Sequence, residues 1–302
     1  MKKFLAKLLA YGLLLFVLGN ILAFGANYFL KKSTFYKPSF LVNAIDSNKK
    51  LDYIVLGSSR GLTTLDTNQI DDSLSTKGLN LSMDDTDLKT HLLMLQHFFK
   101  SGYTADYCVL TLDDQHFTLS STSLGNNDYR FMPFGTQEYV HDHFSTYEIG
   151  IVRPLTWSNY LPLFGYSYYN LELFFPSINV ALQPNKRNRF DDKGNYSYPN
   201  SIKEKRSDTI LVKSEKHRIT NRMVNELISL AQQNKCIPII YIAPYQKKNL
   251  VITSLPDNAY LINHSNAIKT NGYFYDPIHV NKAGREITSS LFEDEFREIR
   301  KD

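Results

Sequence analysis

The chain has 302 residues, 43% of them hydrophobic and 21% charged, with a formal net charge of +4 at pH 7. That composition suits a folded chain with one large buried core or two small ones, and it excludes a disordered polymer. The charge is mild and dispersed, with no arginine-rich arm, zinc-finger spacing or basic-aromatic repeat, which argues against a nucleic-acid partner.

Lys2, Lys3 and Lys7 give the chain a short basic start. Leu8 to Leu30 then form a 23-residue stretch without a charge, interrupted by polar Asn20 and Asn27 and closed by Lys31 and Lys32. As a helix rising about 1.5 Å per residue, this stretch matches a hydrocarbon core of roughly 30 Å. We read residues 1–32 as a cytoplasmic start and transmembrane anchor, with membrane contact through residues 8–30. A secretory signal peptide is the competing reading, since Ala23-Phe24-Gly25 offers a small-x-small cleavage site, but the apolar run is long for one. Lysines flank the span on both sides, so the positive-inside rule discriminates little. A tiny N-terminal flank before a large domain favours a single-pass protein of the cell membrane with that domain extracytoplasmic.

Residues 33–50 read as a polar tether containing Pro38, and residues 51–302 as an α/β domain. Tyr53 to Gly57 is continuously apolar, as expected of a strand buried on both faces of a parallel sheet. Leu79 to Ser82 is a second short strand candidate. Apolar residues at Leu88, Leu92, Leu95 and Phe99 predict a helix over 85–99, and Tyr107 to Leu112 a third strand ending at Asp113 and Asp114. From about 115 to 214 the pattern is irregular and aromatic, which we read as an insertion. Within it, Trp157 to Phe175 suggests an amphipathic or buried helix and Phe190 to Tyr198 a hairpin turning at Lys193-Gly194. Regular alternation resumes with a helix over 219–234, a strand over 237–243, a candidate last strand over 259–262 and a final helix over 281–297 with Asn281 as its N-cap. Strands alternating with helices imply a parallel α/β sheet with crossover connections.

Two short segments carry chemistry. Gly57-Ser58-Ser59-Arg60 follows a buried strand at its carboxyl end, where parallel sheets gather their ligands. A helix starting near Ser59 would direct backbone N–H groups to the same place. Asp276-Pro277-Ile278-His279 sets an acid and an imidazole three residues apart, so that an ionised Asp276 accepts the Nδ1 proton and leaves Nε2 free to take a proton from a serine. Arg60 would position an anionic substrate or cap a neighbouring carboxylate, and Pro244 and Tyr245 lie on the same sheet edge. His141-Asp142-His143 has no partners at ligand spacing and reads as surface, so we expect no metal and no cofactor. Cys108 and Cys236 precede apolar runs; a disulfide and two buried free thiols both remain open.

Strand-Gly57-Ser58-Ser59 near the domain start and Asp276-x-x-His279 before a last helix resemble the SGNH (GDSL-like) hydrolases, over roughly residues 50–114 and 217–297. The resemblance implies a three-layer flavodoxin-like parallel sheet and a serine esterase with Ser59 as nucleophile, His279 as acid-base and Asp276 as its orienting carboxylate. The Gly-Ser-Ser variant behind a membrane anchor looks most like the subset similar to the D-alanyl transfer protein of teichoic acids and the alginate O-acetyltransferases. That subset implies acyl transfer onto or off a cell-envelope polysaccharide or glycopolymer, an acyl donor or glycan as partner, and often a neighbouring membrane-bound O-acyltransferase. The family's second block aligns with Asn80-Leu81-Ser82, where a Ser82 N–H would serve the oxyanion hole. Its third block aligns with Asp113-Asp114, where the family has an asparagine whose amide donates. An ionised Asp113 cannot donate. Arg60 or an insertion residue then substitutes, or Asp113 is protonated, or the protein is a non-catalytic glycan-binding or scaffold relative.

Overall fold

The structure, a computed structural model, describes residues 1–45, 50–118, 123–200 and 212–301. The chain divides into two compact units, Met1–Ile45 with Thr122–Asn188 and Asp46–Ser121 with Arg189–Asp302.

In chain order, the first unit opens with α1 (Lys2–Lys32) and α2 (Lys37–Ala44). The helix α1 is the one among the described residues long and apolar enough to cross a membrane. The stretch read as a polar tether contains α2, which buries Phe40 and Leu41. Pro38 sits at its first turn, where a proline's missing N–H costs nothing and its fixed φ suits a helix. The chain then supplies the second unit with β1 (Lys50–Leu56), α3 (Ser59–Thr64), α4 (Thr67–Leu74), β2 (Gly78–Asn80), α5 (Leu88–Lys100) and β3 (Thr104–Thr111). It returns to the first unit for α6 (Glu138–Tyr147), α7 (Pro154–Trp157), α8 (Leu163–Tyr169) and α9 (Leu171–Leu182). The single helix expected over 157–175 is thus three helices, divided at Pro162 and at Asn170, whose positive φ of 48° ends α8. The second unit is completed by β4 (Lys213–Arg218), α10 (Arg222–Gln233), β5 (Ile237–Ile242), β6 (Lys248–Ser254), β7 (Tyr260–Asn263) and α11 (Lys282–Ile299).

The second unit is a mixed α/β structure around a parallel sheet in the order β2-β1-β3-β5-β7. Its central strands are buried on both faces, which explains their unbroken apolar runs. Tyr53, Val55, Val109, Ile239 and Tyr241 form one core face with Phe292 and Phe296 of α11. Burying each such side chain contributes roughly 1.5–3 kcal/mol. A second parallel pair, β4 with β6, lies outside this sheet.

The segment expected as a hairpin over 190–198 makes a tight turn, with Gly194 N–H donating to Asp191 O at 3.0 Å, and forms no paired strands. Instead it packs into the second unit, where Asn80 N–H donates to Lys193 O and Lys193 pairs with Asp71 at 2.9 Å. Cys108 and Cys236 are buried, adjacent and unbonded. The neighbouring Cys236 sulfur and burial push the Cys108 thiol well above its ordinary pKa.

Candidate active site

The site lies at the carboxyl ends of β1, β3 and β5. Leaving β1, the chain turns through Gly57 and Ser58 and starts α3 at Ser59. Gly57 does not adopt a positive φ. It is needed for space, because a Cβ there would meet the Thr111 Cβ at 2.8 Å. Gly61, one turn into α3, has the same role: a Cβ there would meet Ser82 Oγ at 2.5 Å. Ser58 caps α3, its Oγ accepting from Arg60 N–H at 3.3 Å and donating to Asp113 Oδ2 at 2.8 Å. These contacts leave Ser59 half-buried at the start of the helix.

The structure brings the three residues of the predicted triad together. Ser59 Oγ is 2.8 Å from His279 Nε2, and His279 Nδ1 is 2.8 Å from Asp276 Oδ2 and 3.0 Å from Oδ1. Asp276 Oδ1 also accepts the backbone N–H groups of Ile278 at 3.0 Å and His279 at 2.9 Å. Burial acts to raise the Asp276 carboxyl; the His279 ring and these two N–H groups outweigh it and hold the pKa below the usual carboxylate value. An ionised Asp276 accepts from Nδ1, so Nε2 carries the lone pair that faces Ser59.

The loop holding Asp276 and His279 is fixed at its base and its tip. Buried Phe274 and Val280 close its base as an antiparallel bridge. Asn281 caps α11, accepting from Gly284 N–H at 3.0 Å, as the sequence predicts. The tip is gripped by Gln246 N–H on Pro277 O at 3.1 Å and by Arg60 Nε on Ile278 O at 3.1 Å.

Arg60 is 2% exposed and links four chain segments. Besides Ile278 O, it donates to Ala243 O at 2.6 Å, Pro244 O at 3.0 Å and Asp113 Oδ1 at 3.1 Å, and its guanidinium lies 3.5 Å over the Tyr245 ring. All three guanidinium nitrogens are engaged, so of the two roles expected for Arg60 the geometry gives the cap on a neighbouring carboxylate, Asp113, and the side chain also ties the β5 end, the β3 end and the histidine loop to α3. Pro244 and Tyr245, expected to shape the pocket, build its cradle. Tyr245 shares its hydroxyl with Asp114, and burial pushes that hydroxyl up to about 12. Asp114 is held by Lys248, whose hydrogen bond outweighs burial and lowers the carboxyl pKa.

Both carboxyl oxygens of Asp113 are engaged, one by the Ser58 hydroxyl and one by Arg60. Burial favours its neutral form, but Arg60, His116 and the Ser58 hydroxyl overcome this and lower its pKa. These contacts favour the ionised form of Asp113 over the protonated alternative. The Ser82 N–H, expected in the oxyanion hole, donates instead to Asn80 Oδ1 at 3.0 Å, and Asn80 Nδ2 ties this segment to Gly61 O at 3.0 Å. Asn80 and Ser82 thus support α3 from behind. Among the described residues the Ser59 N–H has no hydrogen-bond partner.

Sequence reasoning missed Tyr198. Its ring lies 5.2 Å from His279 and stacks on Tyr275 at 4.3 Å and 3°, beside the bridge from Tyr198 to Asn281. The Tyr196-Ser-Tyr198 spacing after Gly194 was the available signal. In the other unit His143 is buried against Asp128 at 3.0 Å, so the His141-Asp142-His143 stretch is half core. No family model matches the chain, and no curated protein matches it.

Proposed function

We propose that this chain is a membrane-anchored serine esterase or O-acyltransferase of SGNH type, with its catalytic unit extracytoplasmic and acylated cell-envelope glycans as substrates. The observation that carries the reading is the continuous relay from Ser59 Oγ through His279 to Asp276, with both links at 2.8 Å. The sheet order, 2-1-3-4-5 when its five strands are counted alone, supports a flavodoxin-like arrangement. Loop 276–279 and the Ser59 turn share one sheet edge, as such chemistry requires.

In the proposed reaction, Ser59 Oγ attacks the acyl carbonyl while His279 Nε2 takes its proton. The tetrahedral oxyanion is met by the Ser59 N–H at the start of α3. As the tetrahedral intermediate collapses, the bond from the acyl carbon to the sugar oxygen breaks and His279 gives its proton to that oxygen, releasing the sugar as an alcohol and leaving an acyl group on Ser59. Water or a second sugar hydroxyl completes the cycle by the reverse proton transfers. Release of acetate from an acetylated polysaccharide, abolished in Ser59→Ala, tests this reading; equal release by the variant would refute it.

A second reading, a non-catalytic glycan-binding relative, draws on the occupied Asp113 and the engaged Ser82 N–H, which leave the Ser59 N–H without the second-block N–H and third-block amide that the family resemblance implies. Glycan binding that survives Ser59→Ala without turnover by the parent would favour it.

A further inference from the structure

The first unit carries a surface that neither core packing nor the proposed chemistry uses. From 154 to 182 the chain has one charged side chain, Glu172, and is bounded by Arg153 before and Lys186 and Arg187 after. Its aromatic and aliphatic side chains are largely outward: Tyr160 is 74% exposed, Leu182 79%, and Phe174 and Phe175 more than half. A water-facing surface rarely leaves this much contiguous apolar area open.

The segment packs along α1. Leu163 reaches Gly19, where a Cβ would meet its side chain at 3.0 Å, and Phe164 lies against Phe16 with ring centres 6.0 Å apart. Residues 20 to 32 of α1 span about 18 Å, so the start of α8 sits near the middle of the apolar run 8–30. Asn20, a buried polar residue in that run, accepts the Leu163 N–H at 3.3 Å, satisfying a helix-start donor that would otherwise have no partner. The far end of the segment returns to the end of α1, with Thr34 N–H on Pro184 O at 3.0 Å and Asn188 N–H on Phe35 O at 3.1 Å.

Two serine hydroxyls and the backbone N–H groups at the bends of the segment are satisfied internally, whereas the Tyr166 hydroxyl is buried without a partner among the described residues. Ser167 and Ser177 donate to the carbonyls of Phe164 and Phe174, three residues back, at 2.8 and 2.7 Å. At the bends, Tyr160 and Leu161 N–H groups donate to Trp157 O, and Asn170 N–H to Tyr166 O. Hydrocarbon requires such self-sufficiency and water does not.

We propose that residues 154–182 form a re-entrant, lipid-embedded element seated on α1, with the exposed sides of Trp157, Tyr160, Phe174, Phe175 and Leu182 in the bilayer. The occupant is lipid because the surface continues the apolar surface of α1 and its flanking charges are basic, as at a membrane interface. The proposal rests on the reading of α1 as a membrane span.

Trp157 is the sole tryptophan and lies 5.8 Å from Phe164, so the unmodified chain carries its own probe. In the full chain reconstituted into phosphatidylcholine vesicles, brominated acyl chains should remove most of the Trp157 emission while aqueous iodide leaves it nearly unchanged. Emission untouched by brominated lipid overturns the proposal, whether iodide quenches it (a segment in water) or not (a face covered by a second copy). Alkaline carbonate separates the two claims: a chain retained in the vesicles with unquenched Trp157 refutes only the re-entrant element. A chain that carbonate extracts refutes the α1 span and the element together.

Discussion

The two units spend their apolar residues in opposite ways. In the sheet-bearing unit no large hydrophobic side chain among the described residues exceeds 43% exposure, the value at Ile278. In the helical unit Ile151 is 96% exposed, Leu182 79% and Tyr160 74%. The first has its polar strain inside, in the buried guanidinium of Arg60 and the carboxylate of Asp113. The second keeps charge out of its core surface almost completely between 154 and 182. One sequence thus builds a unit that covers its apolar residues, with ion pairs at a sheet edge, and a unit that leaves many of them exposed.

The largest expected effect that separates the units is on chemistry. Asp276→Asn should lower ester turnover by about 10⁴-fold, because the amide favours the wrong His279 tautomer, while the lipid quenching of Trp157 stays as in the parent chain. Loss of both readouts together would show that the units do not behave independently.

The next effect is on stability. Arg60→Met leaves Asp113 buried without its cation and should destabilise the sheet-bearing unit by about 3–5 kcal/mol, seen as a lower denaturant midpoint. The double variant Arg60→Met/Asp113→Leu should recover most of that loss, since an apolar pair of similar size avoids the uncompensated charge. A double variant no better than the single one would mean that Arg60 acts through its carbonyl contacts to Ala243, Pro244 and Ile278. Asp113→Asn, which restores the amide that the family resemblance implies, should reduce activity rather than raise it, because it uncouples Arg60.

Acid should affect the same unit. Asp113 and Asp276 both have folded pKa values below their unfolded ones, so their contribution is full above about pH 4 and is lost as pH falls through the lowered values. The urea midpoint should therefore drop below about pH 4, and less steeply in the Arg60→Met/Asp113→Leu variant. A midpoint that does not change over that range contradicts the ionised assignments.

The smallest effect concerns Asn281. Removing its cap in Asn281→Ala should cost about 1 kcal/mol in thermal unfolding, with activity reduced only as the His279 loop loosens. No change in stability would mean that α11 does not need this cap.

Much of this was legible because its physics is local. The strands at 53–57 and 237–243 are continuous apolar runs, and α10 and α11 follow their 3.6-residue period and cap residues. The grouping of Ser59, His279 and Asp276 was legible because an Asp-Pro-x-His turn brings its acid and imidazole together within four residues. What could not be read depends on contacts distant in sequence. β4 reads Lys-Ser-Glu-Lys-His-Arg, a strand with no apolar pattern, and only its pairing with β6 reveals it. Arg60 in a Gly-Ser-Ser-Arg turn reads equally as a substrate anchor or a carboxylate cap until Ala243, Pro244 and Ile278 close over it. Ser82 looked like an oxyanion donor because the Asn80 side chain that takes its N–H is a feature of the fold. Asn20 reads in the sequence only as a polar interruption of the apolar run, and its partner lies 143 positions along the chain.

The central claim is that Ser59 is a nucleophile activated by His279. A fluorophosphonate probe applied to the full-length chain, followed by peptide mass analysis, tests it most directly. The account predicts one adduct, on Ser59, that is absent in Ser59→Ala and forms far more slowly in His279→Ala. An unlabelled parent chain, or labelling that persists elsewhere in Ser59→Ala, would contradict it.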